Sequence, residues 1–339
     1  MRRLTLTLSL ILLFALPILA QDDPTVCPSP FPTDTDPSQA VMTLDDVQIT
    51  SDAFANRVRF EHAYNAIKLE IIVNQLTQQA ETNSLDATEL ISNNPQVLQI
   101  TRENDNPTQL GNRVLSDLAG DVVVWNYALE NEIGITESLF DETVDGFFAF
   151  TDESSDEERQ ATLDDFSRRI LASGTAPQEL TIFFCRQALY DAVQAEVIVP
   201  QETTLYANAE HILVSTQEVA QDIITLIAGG EDFATLAQEL SLDVPSAERG
   251  GEIGWQPAIF FVTNFADAVT TAELNTVVGP IQTEFGWHVI RVIAREDRPI
   301  DEAIRPQIEF SEFARWRGER INASNIAINP DWQSVIPPL

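Results

Sequence analysis

The stretch that decides the fold runs from Ala209 to Ile293. It opens Ala209-Glu210-His211-Ile212-Leu213-Val214 and closes Phe285-Gly286-Trp287-His288-Val289-Ile290-Arg291-Val292. The chain has three histidines, and two of them stand in near-identical settings at the ends of this stretch. Each is followed by the alternating apolar run of a short strand. Two strands that each begin with a histidine would bring both imidazoles together in the middle of one sheet.

Working outward, the 339 residues suffice for two domains at the usual ~150 residues each. Arg2 and Arg3, the apolar run Leu4 to Leu19 and the small-residue end at Ala20 read as an export signal over residues 1–20 rather than an anchor, because acidic sequence follows at once. Residues 21–40, rich in Pro, Asp, Ser and Thr, read as a flexible linker. No later run is apolar enough to span a bilayer, so no integral membrane segment is expected after signal removal. The net charge of -34 argues against nucleic acid or anionic lipid as a partner. It keeps the chain soluble and would attract cationic stretches of unfolded polypeptide. Two cysteines in an exported chain, Cys27 and Cys185, favour a disulfide. The alternative is two free thiols, with Cys185 in the core of an apolar helix. Pro24-Thr25-Val26, preceded by Asp22 and Asp23, is no lipobox.

Residues 41–202 read as a mostly helical domain. Alternating runs on either side of Asp45-Asp46 predict a hairpin, and Ser51 and Asp52 offer the N-cap of a helix over 52–82. Spacings of three and four predict helices over 107–133, from the capping box Ser155–Glu158 to Leu171, and from Pro177 to Val197. His62 is a lone histidine on the first of these and reads as structural or solvent-exposed. Residues 298–339 hold a helix over 301–322 and a short strand at 325–328. They are expected to pack back on the first domain, adding that strand to the hairpin.

Between the histidines lie Gly230-Glu-Asp-Phe233, Ser241-Leu-Asp243, Gly250-Gly-Glu-Ile-Gly254-Trp255, Phe265 and Gly279-Pro-Ile-Gln-Thr283. In that order and at that spacing, residues 203–297 resemble a parvulin-type peptidyl-prolyl isomerase domain. The flanking layout is similar to exported parvulin foldases of the SurA and PrsA kind. The resemblance implies an α+β protein, in which a helical chaperone domain carries an inserted parvulin domain with a small four-stranded antiparallel sheet. It also implies catalysis of cis/trans rotation about X-Pro bonds in unfolded or newly translocated polypeptides, at the cell envelope or outside it. Such catalysis needs no nucleophile and no cofactor, only a pocket for the ring and a polar field that favours a twisted amide.

By that resemblance His211, Asp243, Thr283 and His288 form the catalytic polar network, with the two histidines sharing a proton. Ile253, Phe261, Phe265 and Phe285 line the proline pocket. Phe261 stands where the family has methionine, and Leu242 where it has an acidic residue. A His, His, Asp set also suits a metal, but the positions are far apart in sequence and the family is metal-free. No basic cluster follows His211, which predicts no phosphate preference. The rival reading is a chaperone in which the parvulin fold is a weak or inactive scaffold.

Overall fold

The computed structural model describes Cys27, Phe31 and residues 40–339. The signal expected over 1–20, and most of the linker expected over 21–40, lie outside the described residues. Chain contacts divide the molecule into two units. One runs to Glu196 and resumes at Arg317, and the other is Val197–Trp316.

In the first unit β1 (Ala40–Leu44) and β2 (Val47–Thr50) form the hairpin, and β7 (Ile326–Ile328) adds to it in the order β2-β1-β7. Met42 pairs with Ile328, so the end of the chain closes the sheet that its beginning opened. The helices are α1 (Ser51–Asn83), α2 (Ala87–Ser92), α3 (Pro95–Asp105), α4 (Pro107–Glu130), α5 (Glu137–Phe148), α6 (Asp156–Leu171) and α7 (Gln178–Val197). The cap of α1 is Thr50, whose hydroxyl accepts from the amide of Ala53; Ser51 and Asp52 already lie in the helix. The helix expected over 107–133 stops at Glu130. The capping box of α6 is present, Ser155 and Glu158 satisfying each other's backbone amides.

Sequence periodicity missed α2, α3 and α5, which are too short to repeat an apolar stripe. Their caps mark them instead: Asp86, Asn94 and Thr136 each accept from the first turn. Inside the unit Phe60, Phe147, Phe166, Phe183 and Phe184 meet ring to ring. Arg57 is buried between Glu61 at 2.8 Å and Asp121 at 3.3 Å, so neither charge is left without a partner. Cys27 and Cys185 are joined in a disulfide that closes a loop of 158 residues and holds the N-terminal chain to α7.

The second unit holds β3 (Thr203–Val214), α8 (Gln217–Ala228), α9 (Phe233–Leu240), α10 (Val244–Ala247), β4 (Glu252–Pro257), α11 (Thr263–Thr271), β5 (Val277–Thr283) and β6 (Gly286–Pro299). The strands form one antiparallel sheet in the order β4-β3-β6-β5. The last helix, α12 (Arg305–Ala323), starts four residues later than expected and is divided between the units at Trp316.

Both faces of this sheet are covered, which explains the long apolar runs on the central strands β3 and β6. Ile212, Val214 and Val289 pack on one side against α8 and α9, with Phe233 at the centre. Ala207, Ala209, Ile290 and Val292 pack on the other against Phe265 and Val269 of α11. Alternation at a period of two then fixes what else points toward Phe265: His211, two residues beyond Ala209, and His288, two residues before Ile290.

Candidate active site

The strands do not both begin with a histidine. His288 does stand near the start of β6, but His211 lies near the end of β3, nine residues in. Because the strands are antiparallel, this is the arrangement that brings the rings together. His211 is opposite Ile290 and His288 opposite Leu213, so the two are diagonal neighbours on one face. Their rings stack at 5.4 Å, and their Nδ1 atoms are 3.2 Å apart. Both are buried.

The polar chain extends from both ends of the pair. Thr283 Oγ1 lies 2.8 Å from His288 Nε2, and it accepts from the amide of Phe285 at 3.2 Å. At the other end His211 Nε2 lies 2.7 Å from Asp243 Oδ2 and 3.0 Å from Ser246 Oγ. Ser246 also donates to Asp243 Oδ2. One assignment of hydrogens satisfies every member. The Thr283 hydroxyl donates to His288 Nε2, His288 Nδ1–H to His211 Nδ1, and His211 Nε2–H to the carboxylate.

The electrostatics agree with that direction. Burial pushes His288 down to about 4, and the neighbouring His211 adds to the effect, so the ring is neutral at pH 7. Partial burial raises the Asp243 carboxyl, but hydrogen bonds from Ser246 and His211 outweigh it and hold the group below the usual carboxylate range. The network therefore has an anion at the Asp243 end, and a neutral His288 ring beside a hydroxyl at the other.

Apolar walls stand over this network. Phe265 is 3% exposed and meets both imidazoles edge to face, at 5.7 Å from His211 and 5.2 Å from His288. Phe261 packs on Phe265 at 4.8 Å, and Ile253 joins the same cluster. Phe285 does not. It is 65% exposed at the turn between β5 and β6, outside both buried apolar clusters. Its two-residue turn leaves the ring outside while its amide holds Thr283.

Ser246 is the residue that the sequence reading missed. Its signal was the i, i+3 spacing from Asp243 across the one-turn helix α10, which returns the hydroxyl to the carboxylate. The glycines after α10 allow close approach of the chain. Gly251 has φ +89°, and a Cβ there would fall 2.6 Å from the carbonyl oxygen of His211. The same two residues are bonded through the backbone, His211 N–H donating to the carbonyl oxygen of Gly251 at 2.9 Å. Among the described residues no group of three or more His, Cys, Asp and Glu side chains is arranged to hold a metal ion. Nor is any helix among them long and apolar enough to cross a membrane.

Comparison with known proteins agrees on the segment. The profile of the PPIC-type PPIase domain matches residues 186–296. A probable parvulin-type peptidyl-prolyl cis-trans isomerase of Bordetella pertussis is 37% identical over 129 residues, 36% of this chain and 48% of that protein. The foldase protein PrsA of a Geobacillus species is 37% identical over 102 residues, 30% of this chain and 37% of PrsA. The chain thus spans about half the length of the first curated relatives or less. The parvuline NmPin of Nitrosopumilus maritimus, known from a solution structure, is 37% identical, with 26% of this chain and 96% of NmPin covered and a TM-score of 0.25. Through the segment that carries the histidine pair, the chain matches the PPIC-type PPIase domain and is similar to parvulin-type peptidyl-prolyl cis-trans isomerases and to the PrsA foldases.

Proposed function

We propose that the protein is an exported foldase whose parvulin domain catalyses cis/trans isomerisation of X-Pro bonds in unfolded or newly translocated polypeptides. The observation that carries this reading is the buried His211–His288 pair stacked under Phe265 and tied into one polar chain. Rotation about an amide has a barrier of about 18–20 kcal/mol because the twist breaks resonance. In the twisted state the nitrogen is more basic and the carbonyl less delocalised. A dry apolar wall that seats the proline ring, beside a polar network already ordered, favours that state over the planar one.

His211, Asp243, Thr283 and His288 are the proposed catalytic residues, with Ser246 holding Asp243 and His211 in register. Phe265, Phe261 and Ile253 are the proposed walls of the proline pocket. Arg249, the basic residue nearest Asp243, donates to the backbone carbonyls of Pro245 and Glu252, and the other basic residues of the domain are engaged elsewhere. Arg291 pairs with Glu210, Arg298 with Glu296, and Arg295 donates to the carbonyl end of α11. None of them serves a phosphate next to the histidines, so a non-phosphorylated substrate fits the site best.

One observation favours the rival reading. The Phe261 ring lies against Phe265 at 4.8 Å, where a flexible side chain would leave more room. An isomerisation assay on a non-phosphorylated Ala-Pro peptide separates the two. Turnover that falls for Phe265→Leu supports the enzyme. Absence of turnover in the wild type, with aggregation of an unfolded client still suppressed, supports the scaffold. Recovery of turnover in Phe261→Met would then identify the wall as the cause.

A further inference from the structure

Beside the histidines is a second concavity that the isomerase reading does not use. It is a cavity of about 240 Å³ bounded by Val262, Thr263, Asn264, Thr283 and Glu284. Two of its walls belong to the proposed proline site. Thr283 is bonded to His288, and Val262 packs on the Phe265 cluster. The wall between α11 and β5 is held shut by Asn264, whose amide donates to the carbonyl of Gln282 at 2.8 Å. A polypeptide whose proline sat over the histidines would carry its neighbouring residue past this opening.

The only charged side chain at the cavity is Glu284. It is exposed, and no arginine among the described residues pairs with it. The reason is the use made of the cations. Val197–Trp316 contains six arginines against nineteen acidic residues. Arg291, Arg298 and Arg305 are held by Glu210, Glu296 and Glu302. Arg249 and Arg295 donate to backbone carbonyls, and Arg315 lies near Glu312 on its own helix. The first turn of α11 also faces this region without a side-chain cap, but a helix end carries only about half a charge. A full carboxylate outweighs it, and the cavity is anionic.

We propose that this cavity is a subsite for a cationic side chain, lysine or arginine, on a residue flanking the isomerising proline. The proposal rests on the isomerase reading of the neighbouring pocket. The tetramethylene or trimethylene stem would lie along Val262 and Thr263, with the charge at Glu284. An exposed ion pair of this kind changes affinity by about two- to fivefold.

The experiment uses the full chain and four non-phosphorylated peptides, each with lysine or glutamate immediately before or after a single proline, plus an all-alanine peptide. Isomerisation rates and binding by calorimetry are both measured. The proteins are wild type, Glu284→Gln, and Glu231→Gln as a control that removes the same charge at a distant loop. The expected result is a lysine-over-glutamate preference at one flanking position, reduced by about two- to fivefold in Glu284→Gln and kept in Glu231→Gln. The alanine peptide should behave alike in all three proteins. A preference that survives Glu284→Gln, or falls equally in Glu231→Gln, would mean bulk charge alone and overturn the subsite, as would a preference for glutamate. If no peptide is isomerised, the isomerase reading fails by itself. The binding series then still decides the subsite by the same comparison.

Discussion

Acidification tests the assignment of a neutral, buried His288 through the stability of the sheet. An exposed histidine has a pKa near 6.5. In the folded site burial brings His288 to about 4. Below pH 6.5 the unfolded chain binds a proton at this residue and the folded site refuses it, so stability falls as the pH falls. The loss continues until the folded ring is itself protonated near pH 4. The full gap corresponds to about 3 kcal/mol, reduced to about 2 kcal/mol because solvent reaches the rim of the site. Asp243, held below the usual carboxylate range, acts in a lower window and loses its contribution only as the pH drops through its folded pKa.

The readout that isolates the sheet unit is native-state hydrogen exchange of the β6 amides Val289, Ile290 and Val292, buried at its centre. Between pH 7 and pH 5, corrected for intrinsic exchange, their opening free energy should fall by about 1–2 kcal/mol in the wild type. In His288→Gln the drop should shrink to the small share of the other groups. A wild-type profile flat from pH 7 to 5, or an imidazole resonance of His288 that titrates at or above 6.5, would refute the account.

Three further outcomes follow from the geometry. Ser246→Ala removes the donor that orders Asp243, and should lower turnover several-fold while costing only about 1 kcal/mol of stability. Ser246→Thr should restore part of the turnover, which a purely structural role would not predict. Gly251→Ala places a Cβ 2.6 Å from the His211 carbonyl at φ +89°, and should destabilise the second unit by at least about 1–3 kcal/mol, read by the same β6 amides. Reduction of Cys27–Cys185, or its replacement by two serines, should lower the stability of the helical unit by about 2–5 kcal/mol, read by thermal unfolding. The β6 amides should not respond.

Much of the parvulin segment was legible because its signals are local and strong. Strict alternation after His211 and His288 placed both on one face of adjacent strands, and the turn chemistry of Gly250-Gly251 fixed the loop behind them. The antiparallel order, which puts His211 near the end of its strand, depends on pairing over 77 residues and leaves no local trace. Phe285, expected at the rim of the pocket, sits in a two-residue turn that leaves its ring exposed, a detail that its residue type alone does not give. Ser246 was hidden by its ordinariness, since a serine in a short helix acquires meaning only when the carboxylate three residues back is seen to hold a histidine. In the helical unit the long helices were read from their stripes. The short α2, α3 and α5 were not, because one to three turns carry their identity in the caps.

The central claim is that the His211–His288 pair and the Phe265 wall form a site that accelerates rotation about X-Pro bonds. The most direct measurement is exchange spectroscopy of a non-phosphorylated Ala-Pro peptide at equilibrium, with a catalytic amount of the full chain. The account predicts cis–trans exchange well above the uncatalysed rate, which takes tens to hundreds of seconds. It predicts that Phe265→Leu and His288→Gln each reduce this acceleration while the helical unit remains folded. Exchange no faster than in peptide alone, or unchanged in both variants, would contradict it.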